Sequence, residues 1–522
     1  MGKPMTDIKA AEAARTLDRF RRDAKALRKA HEAGEATALD RLKSSPPRPE
    51  GTVLKHADYL HVIARENSFA SWPQLKFAVE TQGLDRAAKQ QRLGMALHHG
   101  QVWMVERLLE DTPDLAETHI GLACGLYLKD AVAAILAEDP ETATRKAPLV
   151  PPLIHLARSR MWRHYPEREA DMLEIAGMLV AGGADVNTCV PYVEDDPHQL
   201  SALYFALGHA GNLALARWLL ERGADPNDNE SLYHATELGD HRALKTLLDH
   251  GARPGGTNAL LRAMDFHDVE AVRMLLGAGA DPNEFSQDEV GGESPWVVPA
   301  LHQAARRMAG REMCDVLIGA GADMGRLYQG VTPYGAARVY GNRDLAAAIE
   351  AVGGPTALTP VEEALLKAAE GAPVPVDPGA LPEFYGQILR ELVWREGKLD
   401  HIRALVAAGL PHDVPDREGL TPVQVAGWEG RPEAMAYFLS LGVDLDHING
   451  FGGTLLSTIL HGSENAPDRA RRDHVTCARL ALEAGVPLPR RAPEAAMEEE
   501  MAEFLTDWAE AHPDQVVEHG IV

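Results

Sequence analysis

The phrase GADPN occurs twice in this chain, at residues 223–227 and 279–283, and each copy follows a pair of leucines. Three related phrases lie nearby: LVAGGADVN at 179–187, LLDHGARPG at 247–255 and LIGAGADMG at 317–325. The glycines that they share are 40, 28, 28 and 42 residues apart. Self-similarity at this period indicates a stack of structural repeats, and it overrides the domain count that chain length alone would suggest.

The residue pattern of each repeat predicts two short helices followed by a turn. The second helix carries apolar residues at helical spacing, for example Leu244 and Leu247. The shared glycine then ends this helix in the left-handed conformation, and Asp-Pro-Asn supplies the turn to the next repeat. The first helix places alanine where a neighbouring repeat must approach closely. These alanines are Ala206, Ala235, Ala263 and Ala304.

These residues resemble the ankyrin repeat, whose pattern runs from G-x-T-P-L-H-x-A-A-x-x-G to V-x-x-L-L-x-x-G-A-D-x-N. The best single match is DREGLTPVQVAGWEG at 416–430. The resemblance implies an all-α fold with short hairpin loops, namely an ankyrin-type α-solenoid preceded by a small helical N-terminal module. The chain departs from the family pattern where the histidine of the motif is replaced, at Tyr204, Tyr233, Leu261 and Gln424.

We expect four segments along the chain. They are a helical N-terminal module (1–85), degenerate and then regular ankyrin repeats (86–354), a linker or long hairpin with one helix (355–384), and a second ankyrin-repeat array that ends in a capping helix (385–522). A terminal cap with a polar outer face is needed because the last repeat has no neighbour to cover it. Met497, Met501, Phe504, Leu505 and Trp508 are expected on the apolar face of this cap.

The N-terminal module differs from the repeats in charge and in its sequence motifs. It opens with a basic amphipathic helix, and Ser71 is expected to cap a later helix that has Pro73 in its first turn. The phrases IARE and FASWPQLK resemble the helical preamble of many bacterial ankyrin-repeat proteins, which implies a bacterial source. The basic stripe of the first helix consists of Arg21, Arg22, Lys25, Arg28 and Lys29.

The net charge of −25 is uneven, because residues 1–92 carry +6 and the remainder carries −31. An acidic body repels phosphate groups, which makes nucleic acid and anionic membranes unfavourable main partners. No stretch approaches the roughly 18 apolar residues of a membrane span, and the N-terminus does not resemble a signal peptide. The four cysteines form no CxxC pair, and we interpret them as reduced, buried thiols. We therefore expect a cytoplasmic monomer.

Motifs of catalysis and cofactor binding are absent from the sequence. The chain contains no GxxxxGK[ST], no GxGxxG after a strand, no GxSxG and no HExxH. His98 and His99 are adjacent on a predicted helix, where neighbouring side chains point about 100° apart, and we interpret them as helix-surface residues. We expect no enzymatic activity, no cofactor and no metal site.

A solenoid without catalytic groups offers an extended concave surface, and the resemblance implies that a protein partner binds there. We expect the binding site within 200–285, in an acidic groove that suits a basic or mixed-charge partner. Tyrosine and arginine are frequent energetic anchors of interfaces, although Tyr204 and Tyr233 could equally just fill the place of the family histidine. The candidate residues are Tyr204, His209, Asp225, Asn227, Tyr233, His234, Arg262, Asp265, Phe266, His267, Asp281 and Asn283.

Two other functions stay open. The basic N-terminal helices could make the chain an adaptor or regulator that binds nucleic acid or a second protein. Binding would then be lost on deletion of residues 1–85, and for nucleic acid it would fall steeply with salt. The third alternative is an enzyme whose site the motifs do not reveal, for which no residue set is apparent in the sequence.

Overall fold

A computed structural model describes the chain except for residues 1–4, 50, 148–149, 192–197, 287–296, 467–468, 497 and 522. It contains two compact units. The first unit consists of Met1–Arg41, His61–Gln303 and Gly319–Ala322, and the second of Leu42–Leu60, Ala304–Ile318 and Asp323–Val522. These two units do not coincide with the segments expected from the sequence, whose boundaries are at residues 85, 354 and 384. Those boundaries stay a prediction.

Helices dominate both units, which confirms the all-α prediction. Strands in the described ranges form only two short pairs. One is antiparallel, between β1 (Cys189–Pro191) and β2 (Gln199–Ser201), and it closes the insertion after the first hairpin phrase. The other is parallel, between β3 (Leu488–Pro489) and β4 (Val516–Val517).

Four helices precede the repeats: α1 (Met5–Glu32), α2 (Ala36–Ser44), α3 (His56–Glu66) and α4 (Trp72–Thr81). Leu17, Ala24 and Leu27 are buried on α1, which packs against α4. In the basic stripe, Arg22, Lys25 and Lys29 are exposed. Ser71 and Pro73 occupy the predicted positions at the start of α4, but the Ser71 side chain accepts no capping hydrogen bond.

Residues 86–181 form successive pairs of helices, as the degenerate repeats in this part of the sequence predict. The helices are α5 (Arg86–His99), α6 (Val102–Asp111), α7 (Ile120–Gly125), α8 (Lys129–Glu138), α9 (Pro152–Ala157) and α10 (Glu169–Ala181). Three 3₁₀ turns lie between them, at Pro140–Ala143, Met161–Arg163 and Pro166–Arg168.

The regular repeats follow with one helix pair each. Their helices are α11 (Ala202–Tyr204), α12 (Leu213–Leu220), α13 (Ser231–Ala235), α14 (Arg242–Asp249), α15 (Ala259–Asp265), α16 (Val269–Gly277), α17 (Ala300–Arg307), α18 (Arg311–Gly319), α19 (Pro333–Tyr340) and α20 (Arg343–Ala351). A π-helix, Phe205–His209, continues α11. The four alanines predicted to permit close packing are at most 1% exposed, which confirms their burial.

The GADPN phrase links each hairpin to the next. Its glycine is left-handed, with φ of +91° at Gly223, and the Asp225 carboxylate accepts the backbone N–H of Asn227 at 2.9 Å. The Asn227 side chain then reaches the following hairpin, where its oxygen accepts the backbone N–H of Arg253 at 2.9 Å. Asn187 acts in the same way on Asp225, at 2.8 Å. We call this contact the asparagine clamp.

The second unit continues with α21 (Pro360–Ala369), α22 (Ile388–Val393), α23 (Leu399–Ala407), α24 (Pro422–Trp428), α25 (Pro432–Ser440), α26 (Leu455–Asn465), α27 (His474–Glu483), α28 (Ala492–Ala495) and α29 (Glu499–Ala511). Short 3₁₀ turns occur at Pro378–Ala380, Glu383–Tyr385, Arg469–Arg471 and Pro513–Gln515. In α29, Met501 and Leu505 are buried as expected of the cap, whereas Met497 lies outside the described residues.

The second unit buries an ionic cluster around Glu391, which is 4% exposed. The guanidinium groups of Arg306 and Arg390 lie 3.6 and 3.3 Å from its carboxylate, and Arg390 also lies 2.6 Å from Asp416. Burial alone would raise the pKa of Glu391, but the surrounding arginines hold this pKa below its ordinary value. Glu391 is therefore ionised inside the unit.

A pair of stacked histidines joins α5 to the π-helix in the first unit. The rings of His98 and His209 lie 4.2 Å apart, and His209 donates a hydrogen bond to the His98 carbonyl at 3.1 Å. The expectation that His98 lies on the helix surface is therefore wrong, because its ring is partly buried under His209; His99 is exposed. Burial lowers the pKa of His98 to about 3 and of His209 to about 4, helped by Arg158 and Arg160 nearby.

We predict that acid destabilises the first unit through this pair. Both rings are neutral when folded but bind a proton near pH 6.5 when unfolded, so the unfolded chain takes up more protons below about pH 6.5. At these pKa values each ring would lower the free energy of unfolding by roughly 2.5 kcal/mol between neutral pH and about pH 4.5. Because both rings are partly exposed to solvent, we expect a fall of roughly 2–4 kcal/mol for the pair. Urea melts of the full chain at both pH values measure this change.

The control for this prediction is the variant His98→Gln with His209→Gln. It should show a shallower pH dependence than the parent, with a remainder from other buried histidines such as His155, whose pKa is lowered to about 3. An equal loss of stability on acidification in parent and variant would contradict the prediction.

Candidate functional site

Half of the predicted binding residues lie together on the first helices of three successive repeats. Tyr204 ends α11, Tyr233 and His234 are on α13, Arg262 and Asp265 are on α15, and Phe266 directly follows α15. We call these six residues the first-helix surface. They lie together because the repeats stack with their first helices side by side, as the contacts of α11 with α13 and of α13 with α15 show.

Arg262 occupies the centre of the first-helix surface. Its guanidinium lies 5.3 Å from the ring centre of Tyr233 and 4.9 Å from that of Phe266, within the range of cation–π attraction. It also forms an ion pair with Glu237 at 2.8 Å and lies 3.6 Å from Asp265. The Arg262 side chain is still 31% exposed, and Phe266 is 50% exposed. A cation and an aromatic ring are thus held in fixed positions at the surface.

His234 is held between two carboxylates. It lies 3.3 Å from Glu230, which is fully buried, and 3.0 Å from Glu237. Burial disfavours the charged ring, but the hydrogen bonds to Glu230 and Glu237 more than offset this and raise the pKa of His234 to about 9. His198, from the insertion before α11, lies 2.9 Å from the other oxygen of Glu230. His234 is therefore an imidazolium at neutral pH.

The polar contacts of these residues form one row across the repeats. His234 contacts Glu237, Glu237 contacts Arg262, and Arg262 contacts Asp265. The row ends at Gln303, whose amide donates to Asp265 at 2.6 Å. The ion pair of Glu237 with Arg262 joins one repeat to the next, so the surface is ordered by its own contacts.

Sequence reasoning missed Glu230, Glu237, Gln303 and His198. Two signals were available in the sequence. Glu230 is an acidic residue at the position where the ankyrin motif has threonine, and His234 and Glu237 are three residues apart. For His198 no local signal exists, since it lies far from Glu230 along the chain. Long-range pairing of this kind is visible only in the folded structure.

The other predicted residues have structural contacts of their own. Asp225, Asn227, Asp281 and Asn283 build the hairpins: in the later copy, Asp281 accepts the Asn283 backbone N–H at 2.8 Å and Asn283 donates to the Gly321 carbonyl at 3.0 Å. Their binding to a partner stays a prediction, and the structure gives each of them a reason to be present without one.

The two remaining predicted histidines differ in their surroundings. His209 is partly buried against His98. His267 is exposed and has a φ of +55°, at the helix end where other repeats place a left-handed glycine such as Gly239. A role of either in binding also stays a prediction.

Among the residues that the structure describes, no three His, Cys, Asp or Glu side chains are grouped in a way that could hold a metal ion. No helix within the described ranges is both long and apolar enough to cross a membrane. All four cysteines are free; Cys124, Cys314 and Cys477 are buried as expected, but Cys189 is exposed on β1.

Residues 203–286 match the family model described as ankyrin repeats, in three copies. This stretch of the chain forms ankyrin repeats. The predicted ankyrin-type helical fold is thus confirmed, and it holds α13, α15 and the whole first-helix surface. Ankyrin repeats are generally protein–protein interaction modules.

The crystal structure of the ankyrin repeat domain of Bcl-3 is similar to this chain at 19% sequence identity, with a TM-score of 0.33. The similarity covers 44% of this chain and 98% of that domain. No curated protein matches the chain. The bacterial source expected from the sequence motifs of the N-terminal module stays a prediction.

We predict that alkaline pH weakens the contacts of His234. Its pKa is raised to about 9 when folded, so the folded chain keeps a proton that the unfolded chain loses above about pH 6.5. This contribution to stability is fully present below about pH 6.5 and is lost as pH rises through about 9, which should lower the free energy of unfolding by roughly 3 kcal/mol.

Urea melts at about pH 6.5 and about pH 9.5 measure this loss, with His234→Gln as the comparison. The variant keeps a hydrogen-bond donor but cannot titrate, so its stability should change less between the two pH values. A variant that loses as much stability as the parent would show that His234 is not the group responsible.

Proposed function

We propose that this chain is a non-catalytic scaffold that binds a protein partner on the first-helix surface, on the concave side of its ankyrin repeats. The observation that carries the proposal is Arg262 held between Tyr233 and Phe266, at 5.3 and 4.9 Å from the two ring centres. Arginine and tyrosine dominate the energetics of protein interfaces, and side chains fixed before binding lose little conformational entropy when a partner arrives.

The charges around this surface favour a basic or mixed-charge partner. Glu237 and Asp265 lie beside Arg262, and the hairpin residues Asp225 and Asp281 are exposed. The chain as a whole carries −25. A partner with lysine or arginine beside apolar groups would meet carboxylates and exposed rings together, which raises the rate of encounter and selects against acidic partners.

We further propose that the protein acts as a monomer in a reducing, cytoplasmic environment. This part of the proposal rests on the four free cysteines, of which Cys189 is exposed and would be open to oxidation elsewhere.

The second candidate function places binding on α1. Arg22, Lys25 and Lys29 are exposed there, while the buried side of the helix carries Leu17, Ala24 and Leu27. This arrangement favours an acidic protein or a nucleic acid as the ligand of an adaptor. Intrahelical ion pairs, such as Arg28 with Glu32 at 2.9 Å, neutralise part of the stripe, so we rank it second.

We predict that the variant Tyr233→Ala with Arg262→Ala loses its protein partner. The partner is captured from cell lysate on the immobilised parent, identified, purified, and titrated against parent and variant. Removal of two central anchors should weaken binding by at least about thirtyfold, which corresponds to roughly 2 kcal/mol. Circular dichroism establishes that the variant is folded.

The matched control is Arg242→Ala with Lys245→Ala. Both side chains are exposed on α14, the second helix of the repeat that carries Tyr233, so the control removes one more positive charge than the test variant and leaves the first-helix surface intact. The control should bind like the parent. Equal binding by the parent and the Tyr233→Ala, Arg262→Ala variant would place the site elsewhere, and loss of binding on deletion of residues 1–85 would then favour the second candidate.

A further inference from the structure

Two hairpins of the second unit expose large apolar side chains. Val414 is 37% exposed, Ile448 is 53% exposed and Phe451 is 74% exposed. We call these three residues the tip patch. The hairpins at 179–187, 219–227, 247–255 and 275–283 of the first unit carry Asp-Val-Asn, Asp-Pro-Asn, Arg-Pro-Gly and Asp-Pro-Asn at their tips instead. Apolar side chains that gather on neighbouring loops, rather than singly, are typical of interaction surfaces.

The two hairpins that carry the tip patch are bonded to each other. The Gly450 backbone N–H donates to the Glu418 carbonyl at 2.7 Å, and the Asp444 N–H donates to the Asp413 carboxylate at 2.8 Å. A β-carbon at Gly450 would lie 2.5 Å from the Glu418 carbonyl oxygen, so only glycine permits this approach. The tips of the two hairpins therefore belong to one continuous surface.

The loop that presents Phe451 is held in place from within. The buried Asn449 side chain accepts the backbone N–H groups of Phe451 at 3.0 Å and Gly453 at 2.8 Å. Its amide donates to the Thr458 hydroxyl at 3.1 Å. An aromatic ring on a loop fixed in this way is ordered before binding, which lowers the entropic cost of using it as an anchor.

The surroundings of the tip patch are acidic. Asp444 and Asp446 are exposed on the same hairpin as Ile448, and Asp413 lies directly before Val414. Glu418 adds a further carboxylate, against a single guanidinium at Arg417. An apolar patch with an acidic rim is complementary to a segment that presents apolar side chains flanked by lysine or arginine.

We propose that the tip patch binds an amphipathic basic segment of a partner protein. The apolar side chains of that segment contact Phe451, Ile448 and Val414, and its cations face Asp413, Asp444 and Asp446. This surface belongs to the second unit and does not depend on binding at the first-helix surface.

The test uses the full chain and a fluorescent synthetic amphipathic helix of lysine and leucine. Fluorescence anisotropy should show saturable binding to the parent. The variant Ile448→Ser with Phe451→Ser leaves the net charge unchanged, so it keeps any non-specific attraction to an acidic chain, yet its affinity should fall by at least about tenfold. Val352→Ser removes another exposed apolar side chain, 56% exposed after α20, and should bind like the parent.

Two further arms test the acidic rim. Asp444→Asn with Asp446→Asn keeps hydrogen-bonding groups at the hairpin but removes charge, and it should weaken binding with a smaller salt dependence. A helix of glutamate and leucine should bind weakly. The proposal is overturned if the serine variant binds like the parent, if a peptide of lysine without leucine binds as tightly, or if the glutamate peptide binds equally well.

Discussion

The asparagine clamp is the contact on which the regular repeats depend. Asn227 accepts the backbone N–H of Arg253 at 2.9 Å, and Asn187 accepts that of Asp225 at 2.8 Å, so each of these two asparagines fixes the position of the hairpin that follows its own. Both hydrogen bonds lie at the exposed tips of the hairpins, so each contributes a modest stabilisation and joins a hairpin to its neighbour. Once the hairpins are in register, α11, α13 and α15 lie side by side, and Tyr233 of α13 comes together with Arg262 and Phe266 at the end of α15.

Stacking in this way has a consequence for binding. The charges that face one another across the repeats, from His234 through Glu237 and Arg262 to Asp265, are largely neutralised within the fold. A partner therefore meets rings and a guanidinium that are already positioned, with only part of their polar surface still to be desolvated. This arrangement favours specificity over strong electrostatic attraction, because a competitor that disrupts the row leaves buried charges without partners.

Much of this fold could be predicted from the sequence because the deciding constraints are local. A left-handed glycine at Gly223 and an Asp-x-Asn turn leave signatures within five residues, and burial of Ala206, Ala235 and Ala263 follows from their spacing. The six residues of the first-helix surface were among the twelve candidates expected within 200–285, and their binding to a partner stays a prediction. The contact of the buried Glu230 with His198, and the stack of His98 on His209, could not be predicted, because they join residues far apart in sequence and depend on which segments become neighbours. The sequence shows that the hairpin of Phe451 carries an apolar residue where the GADPN hairpins carry polar ones. That the Phe451 side chain is exposed is seen only in the structure.

The most direct test of this account is hydrogen exchange at the backbone amide of Arg253. In the parent this amide should be protected, in Asn227→Ala it should exchange at least about fivefold faster, corresponding to roughly 1 kcal/mol, and in Asn227→Asp, which keeps an acceptor oxygen, protection should be largely retained. Faster exchange should extend to the amides of α15 in the alanine variant. Unchanged protection of Arg253 in Asn227→Ala would contradict the clamp and, with it, the explanation of how the repeats bring Tyr233, Arg262 and Phe266 together.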